Sequence, residues 1–161
     1  MKKVSTIFLQ VVITLLGLGV LTFLIVEPQL EGRNAHATSQ VDIYLKDPFL
    51  LYIYLAFVPF FVGLFQGIKL LGYARRDEVF SLGAVRAMRT IKYCGIAVAV
   101  FIVGAELYIF AFVRGTDDIA GGVMMGAFII AVSTIVAMAA AVFERILQNG
   151  TDIKSENDLT V

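Results

Sequence analysis

The chain has 161 residues with 13 basic and 13 acidic side chains, and this zero net charge says little about partners, because the distribution of charge along the chain matters more than its sum. Hydrophobic residues make up 59% of it and its mean hydropathy is +0.86, against roughly 45–50% apolar residues in a soluble domain, which excludes a separate water-soluble globule. The pieces between the apolar runs, of 22, 24 and 5 residues, and an 18-residue tail are each too short to bury a core of their own.

The first apolar run, 4–26, follows Lys2 and Lys3 and is 23 residues long, enough for a hydrocarbon layer that takes roughly 20 helical residues to cross. The basic start and the small-x-small triplet Ala35-His36-Ala37 also resemble a secretory leader. A leader's apolar core is only about 7–15 residues, and Ala35 lies nine residues beyond the end of this run, so a retained span is expected.

The second run, 49–68, is announced by Asp47-Pro48, an acceptor for free amides followed by the residue favoured at the first helical position. Inside it, Pro59 removes one backbone bond and crowds the carbonyl of Leu55, which predicts a kink near mid-membrane. Pro59, Gly63 and Gly67 recur every four residues on one face. Gly63/Gly67 and, in the fourth span, Gly122/Gly126 are small-xxx-small pairs that let helix backbones approach closely, within the bundle or in a homo-oligomer.

After the second span, Phe80-Ser81 precedes a segment with Val85, Met88 and Ile91 on one side and Arg86, Arg89 and Lys92 largely on another. Ser81 is the expected N-cap of an amphipathic helix that runs straight into the third span, 93–113. Its cations either enforce topology or hold anionic lipid headgroups or an acidic protein surface; direct nucleic-acid binding is not expected of a few dispersed charges without a recognition fold. Cys94 is the lone cysteine, so no intrachain disulfide forms, and it reads as a small packing residue.

Glu106 is the one charged residue within the four apolar runs. It precedes Arg114 by eight residues, hence about 12 Å of helix, a depth at which a carboxylate must be protonated or hydrogen-bonded inside the bundle, or line a wet cavity. The five-residue connection 114–118 makes the third and fourth spans antiparallel neighbours. Reflecting the chain about Thr116 sets Glu106 level with Gly126, and counting in from the other span ends brings Phe57 and the adjacent Pro59 to the same level. Glu106, Gly126 and Pro59 are therefore the candidate intramembrane site. Two roles remain open for Glu106: a structural hydrogen bond to a tyrosine hydroxyl or to backbone, and a ligand or proton site, with Tyr52, Tyr54 and Tyr108 as the nearest relay candidates.

Asp117 and Asp118 sit before the fourth span, 119–143, where carboxylates favour the helix dipole; with the other acids of that side they match no defined metal loop, and no metal is expected. The helix is expected to continue through Gln148 and stop at Asn149-Gly150, leaving a polar tail with Asp152, Glu156 and Asp158.

Ten of the 13 basic residues fall on the side of the termini and the middle loop, which the positive-inside rule assigns to the cytoplasm. The expected fold class is all-α: a single four-span membrane domain, an integral membrane four-helix bundle with a cytoplasmic extension of the third helix, spans at about 4–26, 49–71, 93–113 and 119–143 and a cytoplasmic tail over 144–161. No enzyme is expected and no cofactor is implied. His36 stands alone, Ser133 and Thr134 have no nearby base in sequence, and no glycine loop precedes a helix in a phosphate-cradling pattern.

The tail Asp152-Ile153-Lys154-Ser155-Glu156-Asn157-Asp158-Leu159-Thr160-Val161, Phe80-Ser81 with Ala84 to Tyr93, Pro59-Phe60-Phe61 running to Lys69-Leu70-Leu71, and Asp117-Asp118 form a recognisable set. Together they resemble the DUF2975 family of bacterial membrane proteins of unknown function. The resemblance covers nearly the whole chain and departs at Ile119-Ala120-Gly121, where the family more usually has Ala-Pro-Gly. It implies four spans in a bacterial cytoplasmic membrane, and a small helix-turn-helix transcription regulator as partner, since members are often encoded beside one. Two functions follow as expectations. One is a membrane-bound regulator that holds such a protein on a surface of Arg86, Arg89, Lys92, Asp152, Glu156 and Asp158. The alternative is a small oligomeric transporter or proton-linked permease centred on Glu106.

Overall fold

A computed structural model describes residues 2–30, 44–45, 48–113 and 119–159. Four helices, all long and apolar enough to cross a membrane, dominate it: α1 (Lys2–Leu30), α2 (Pro48–Arg75), α3 (Leu82–Tyr108) and α4 (Ala120–Leu159). The chain is thus all-α with four candidate spans. Leu107, Phe128 and Val142 stand exposed on its surface, the arrangement expected where the solvent is hydrocarbon and backbone polar groups are satisfied inside helices.

Packing follows chain order, with α1 on α2, α2 on α3, and the most extensive contact between α3 and α4. Small residues set that last distance. A Cβ built on Gly95 would lie 3.0 Å from the Ser133 carbonyl oxygen and 3.1 Å from Ala137 Cβ, so the two backbones nearly touch, as they do where small residues replace a hydrophobic drive. The central core joins Ala56 of α2 to Val98 and Ile102 of α3, with Phe60, Phe101, Ile129 and Ile130 packed around them. On the other flank α1 is held by few contacts: Gln10 donates to the Ile68 carbonyl at 3.3 Å, and a Cβ on Gly17 would meet Leu64 at 3.1 Å.

Gly63 and Gly67 serve contacts inside the chain rather than a free oligomer face. Cβ atoms built on them would stand 3.4 Å from Cys94 Cβ of α3 and 3.8 Å from Ile13 Cδ1 of α1. Pro59 lies within α2, which runs on to Arg75 as one element. The caps proposed for Asp47, Asp117 and Asp118 lie outside the described residues.

The turn from α2 to α3 closes by local chemistry. Glu78 donates its N–H to the Tyr73 carbonyl at 2.9 Å, and Asp77 takes the left-handed conformation at φ 57°, tolerated by Asp because its short side chain bonds locally. Ser81 then caps α3: its hydroxyl accepts from the Ala84 amide at 3.3 Å. As expected, α3 continues unbroken from this cap into the span.

The end of α4 differs from expectation. No stop occurs at Asn149-Gly150; the helix runs 40 residues to Leu159, about 60 Å against the ~30 Å of a hydrocarbon core. Gly150 is needed for contact instead, since a Cβ there would collide with the Phe80 ring. A glycine that lets a ring approach a helix is indistinguishable in sequence from one that ends it.

Candidate functional site

Two places carry ionisable chemistry, and they lie at opposite ends of α3. Near the Ser81 end, Ala84 and Val85 are buried against Leu147 of α4, with Leu70, Tyr73, Val79 and Met88 packed around them. This cluster ties the ends of α2, α3 and α4 into a headpiece and aims one face of α3 at α4. On that face Arg89 donates from Nε to Glu144 Oε1 at 2.6 Å, and Lys92 Nζ reaches Glu144 Oε2 at 2.7 Å. Arg89 also reaches Gln148 Oε1 at 3.5 Å, and the Lys92 ammonium stands 4.7 Å from the centre of the Tyr93 ring.

Glu144 is 8% exposed, a burial that an ionised carboxylate tolerates only when paired and hydrogen-bonded. Hydrogen bonds from Lys92 and then Arg89 hold its carboxyl below its ordinary pKa, outweighing the opposing effect of burial. The same contact raises the Arg89 guanidinium. One carboxylate thus bridges two cations and fastens α3 to α4 where the apolar run of α4 ends.

The expected partner surface is therefore redistributed. Arg86 and Arg89 are both exposed, but Arg89, like the half-buried Lys92, is paired with Glu144. Asp152 and Glu156 are exposed on α4, past the level at which Gly150 meets Phe80. Asp158 lies in the same helix, with its side chain outside the described residues. Glu144 went unread because an acid just after a span resembles an ordinary solvated residue. The reflection about Thr116 that pairs Glu106 with Gly126 also sets Glu144 level with Met88, one residue from Arg89, and would have found it.

Glu106 sits against Gly126, as that reflection predicts. A Cβ built on Gly126 would fall on the Glu106 carboxyl, with the acid's Cδ at 2.7 Å and its Cγ at 3.2 Å. Three residues further on, α3 widens into a π-helical turn, Ile109–Val113; such turns often accompany functional side chains. Glu106 Oε2 is buried with no hydrogen-bond partner among the described residues.

The anticipated tyrosine partners are turned elsewhere. Tyr52 donates to the Phe101 carbonyl at 2.8 Å and Tyr54 to the Leu24 carbonyl at 3.1 Å, while Tyr108 stacks on Phe49 at 5.3 Å. Pro59 is not brought to this level either. The Tyr52 hydroxyl meets Gly104, and Gly63 faces Cys94, which sets Pro59 opposite Val98, about 12 Å along the helix from Glu106. Counting inward from span ends misplaces it because the start of α2 and the end of α3 do not lie at one depth. Among the described residues no group of three His, Cys, Asp or Glu side chains is placed to hold a metal.

Residues 32–161 match the family model described as "Protein of unknown function (DUF2975)". The "Uncharacterized membrane protein YoaS" of Bacillus subtilis (strain 168) is 36% identical over 162 residues, covering 100% of both chains. No solved structure matches the chain.

Proposed function

The chain belongs to the DUF2975 family of membrane proteins of unknown function, and from that membrane setting we propose that it acts as a non-enzymatic docking protein for a soluble partner. The observation that carries this reading is the length of α4: it holds helical geometry for 16 residues past Phe143, about 24 Å beyond the apolar run. A span needs none of that extra helix. The Glu144 cluster fixes its base to α3, so the arm has a defined direction, and it displays Asp152, Lys154 and Glu156 with Ile153 60% exposed among them. Charged groups around one exposed aliphatic side chain suit a small protein partner, with charges setting register and the aliphatic residue supplying burial.

The excess of basic residues on this side favours a cytoplasmic headpiece with both termini inside, and a small helix-turn-helix regulator, the kind of partner the family resemblance implies, is the partner of this reading. Deleting 152–161 from the full chain in native membranes is expected to abolish co-purification of that regulator while leaving membrane insertion intact. Undiminished recovery would refute the reading.

A second reading, a proton or cation carrier, is favoured by one observation, the buried Glu106 Oε2 without a hydrogen-bond partner among the described residues. Ionisable groups that lie within spans are functional candidates by default. Proton flux into liposomes containing the purified chain should then stop with Glu106→Gln; flux that is absent, or that the variant retains, removes this reading.

A further inference from the structure

A groove follows the surface seam between α3 and α4 in two connected parts. The apolar part, about 320 Å³, is lined by the small residues Ala99, Ala137 and Ala141 and by the larger Ile96, Val100 and Met138. Thr134 also lines it but commits its hydroxyl to the Ile130 carbonyl at 2.7 Å, leaving little polarity to offer. The second part, about 360 Å³, shares Lys92 and Ala141 with the first and is completed by Glu144, Arg145, Gln148 and Asn149. From Val100 to Lys92 the apolar part covers about 12 Å, most of one leaflet's half of a ~30 Å hydrocarbon core.

The polar end is unbalanced in charge. Arg89, Lys92 and Arg145 stand around a single acid, Glu144, whose two oxygens are already taken by Arg89 and Lys92. Arg145 is exposed and makes no ion pair among the described residues. Two positive charges are left over at the level where the apolar surface of α4 gives way to polar residues. An occupant that fits has a narrow apolar tail and an anionic head. A second copy seated symmetrically along the same seam would bring an identical cation cluster against this one, which like-charge repulsion opposes.

We propose that the α3/α4 groove binds one anionic phospholipid, its phosphate at Arg145 and Lys92 and one acyl chain lying over Ala99 and Ala141. Basic pockets between transmembrane helices recognise such headgroups through the same charge complementarity. The bound lipid would bridge α3 and α4 beside the Glu144 cluster and hold the seam at the membrane surface.

The test uses the full chain in nanodiscs of equal phosphatidylglycerol and phosphatidylcholine, with retained lipids counted by native mass spectrometry after release into mild detergent. One phosphatidylglycerol per chain is expected, preferred over phosphatidylcholine. Arg145→Gln should weaken that preference about fivefold, the share of one surface cation. Ala141→Phe, which fills the joint between the two parts without touching a charge, should reduce retention of either lipid. Equal retention of the two lipids by the wild type overturns the proposal, as does unchanged retention in both variants or a lipid-free dimer held at this seam.

Discussion

Glu144→Ala is expected to lower the stability of the detergent-solubilised chain by about 2 kcal/mol, because the change leaves Lys92 and Arg89 facing α4 with no anion between them. Breaking a fully buried pair costs about 3–5 kcal/mol; here the Arg89 side chain is 48% exposed and the Lys92 side chain 22%, so both can turn charge to water and most of the cost falls on Lys92. The loss comes from stranded charge more than from a missing attraction, so Lys92→Met combined with Glu144→Met should recover much of it. Thermal melting of the wild type, the single variants and the pair checks this, and simple additivity would count against the bridge.

The same carboxylate gives a pH dependence with a definite sign. Its pKa is lower in the folded chain than in the unfolded one, where it lies near about 4.3. The stabilising contribution is therefore fully present above that unfolded value and is lost as pH falls through the lower folded value. The stability difference between wild type and Glu144→Gln should shrink in that acidic window and stay constant from there to neutral pH.

Gly126→Ala is expected to change sign with its neighbour. In the wild type the new methyl falls where the Glu106 carboxyl lies, and overpacking of this kind typically costs about 1–3 kcal/mol. With Glu106→Ala the space is open, and the same substitution should stabilise the helix by up to about 1 kcal/mol through propensity alone. A coupling of roughly 2 kcal/mol or more between the two positions is therefore expected from a melting series. Equal effects in both backgrounds would show that the carboxyl is not held against Gly126.

Signals confined to one stretch of chain were legible in the sequence. The four apolar runs announce the spans, and Phe80-Ser81 announces the cap of α3, because hydropathy and capping are properties of adjacent residues. The Glu106–Gly126 contact was also within reach, since a five-residue connection leaves two helices little freedom of register. What stayed hidden depends on offsets between helices. The distance of Pro59 from Glu106 is one of them, fixed by Tyr52 over Gly104 and Gly63 against Cys94. Gly150 has the sequence signature of a stop, yet Phe80, seventy residues earlier, is what requires it. The role of Glu144 is hidden because its two cations arrive from another helix, and the Tyr52 and Tyr54 hydroxyls go to main-chain carbonyls that no side-chain pattern records.

The docking role of α4 is tested most directly by the affinity of the helix-turn-helix regulator for the nanodisc-embedded chain, wild type against Thr151→Pro. Proline at this position removes a backbone bond and breaks the helix at a cost of about 3 kcal/mol, yet it keeps every side chain from Asp152 onward. Binding to the wild type and its loss in the variant is the expected result. Equal affinity of the two chains would contradict a role for the arm's helical geometry, and no binding to either would contradict the docking role itself.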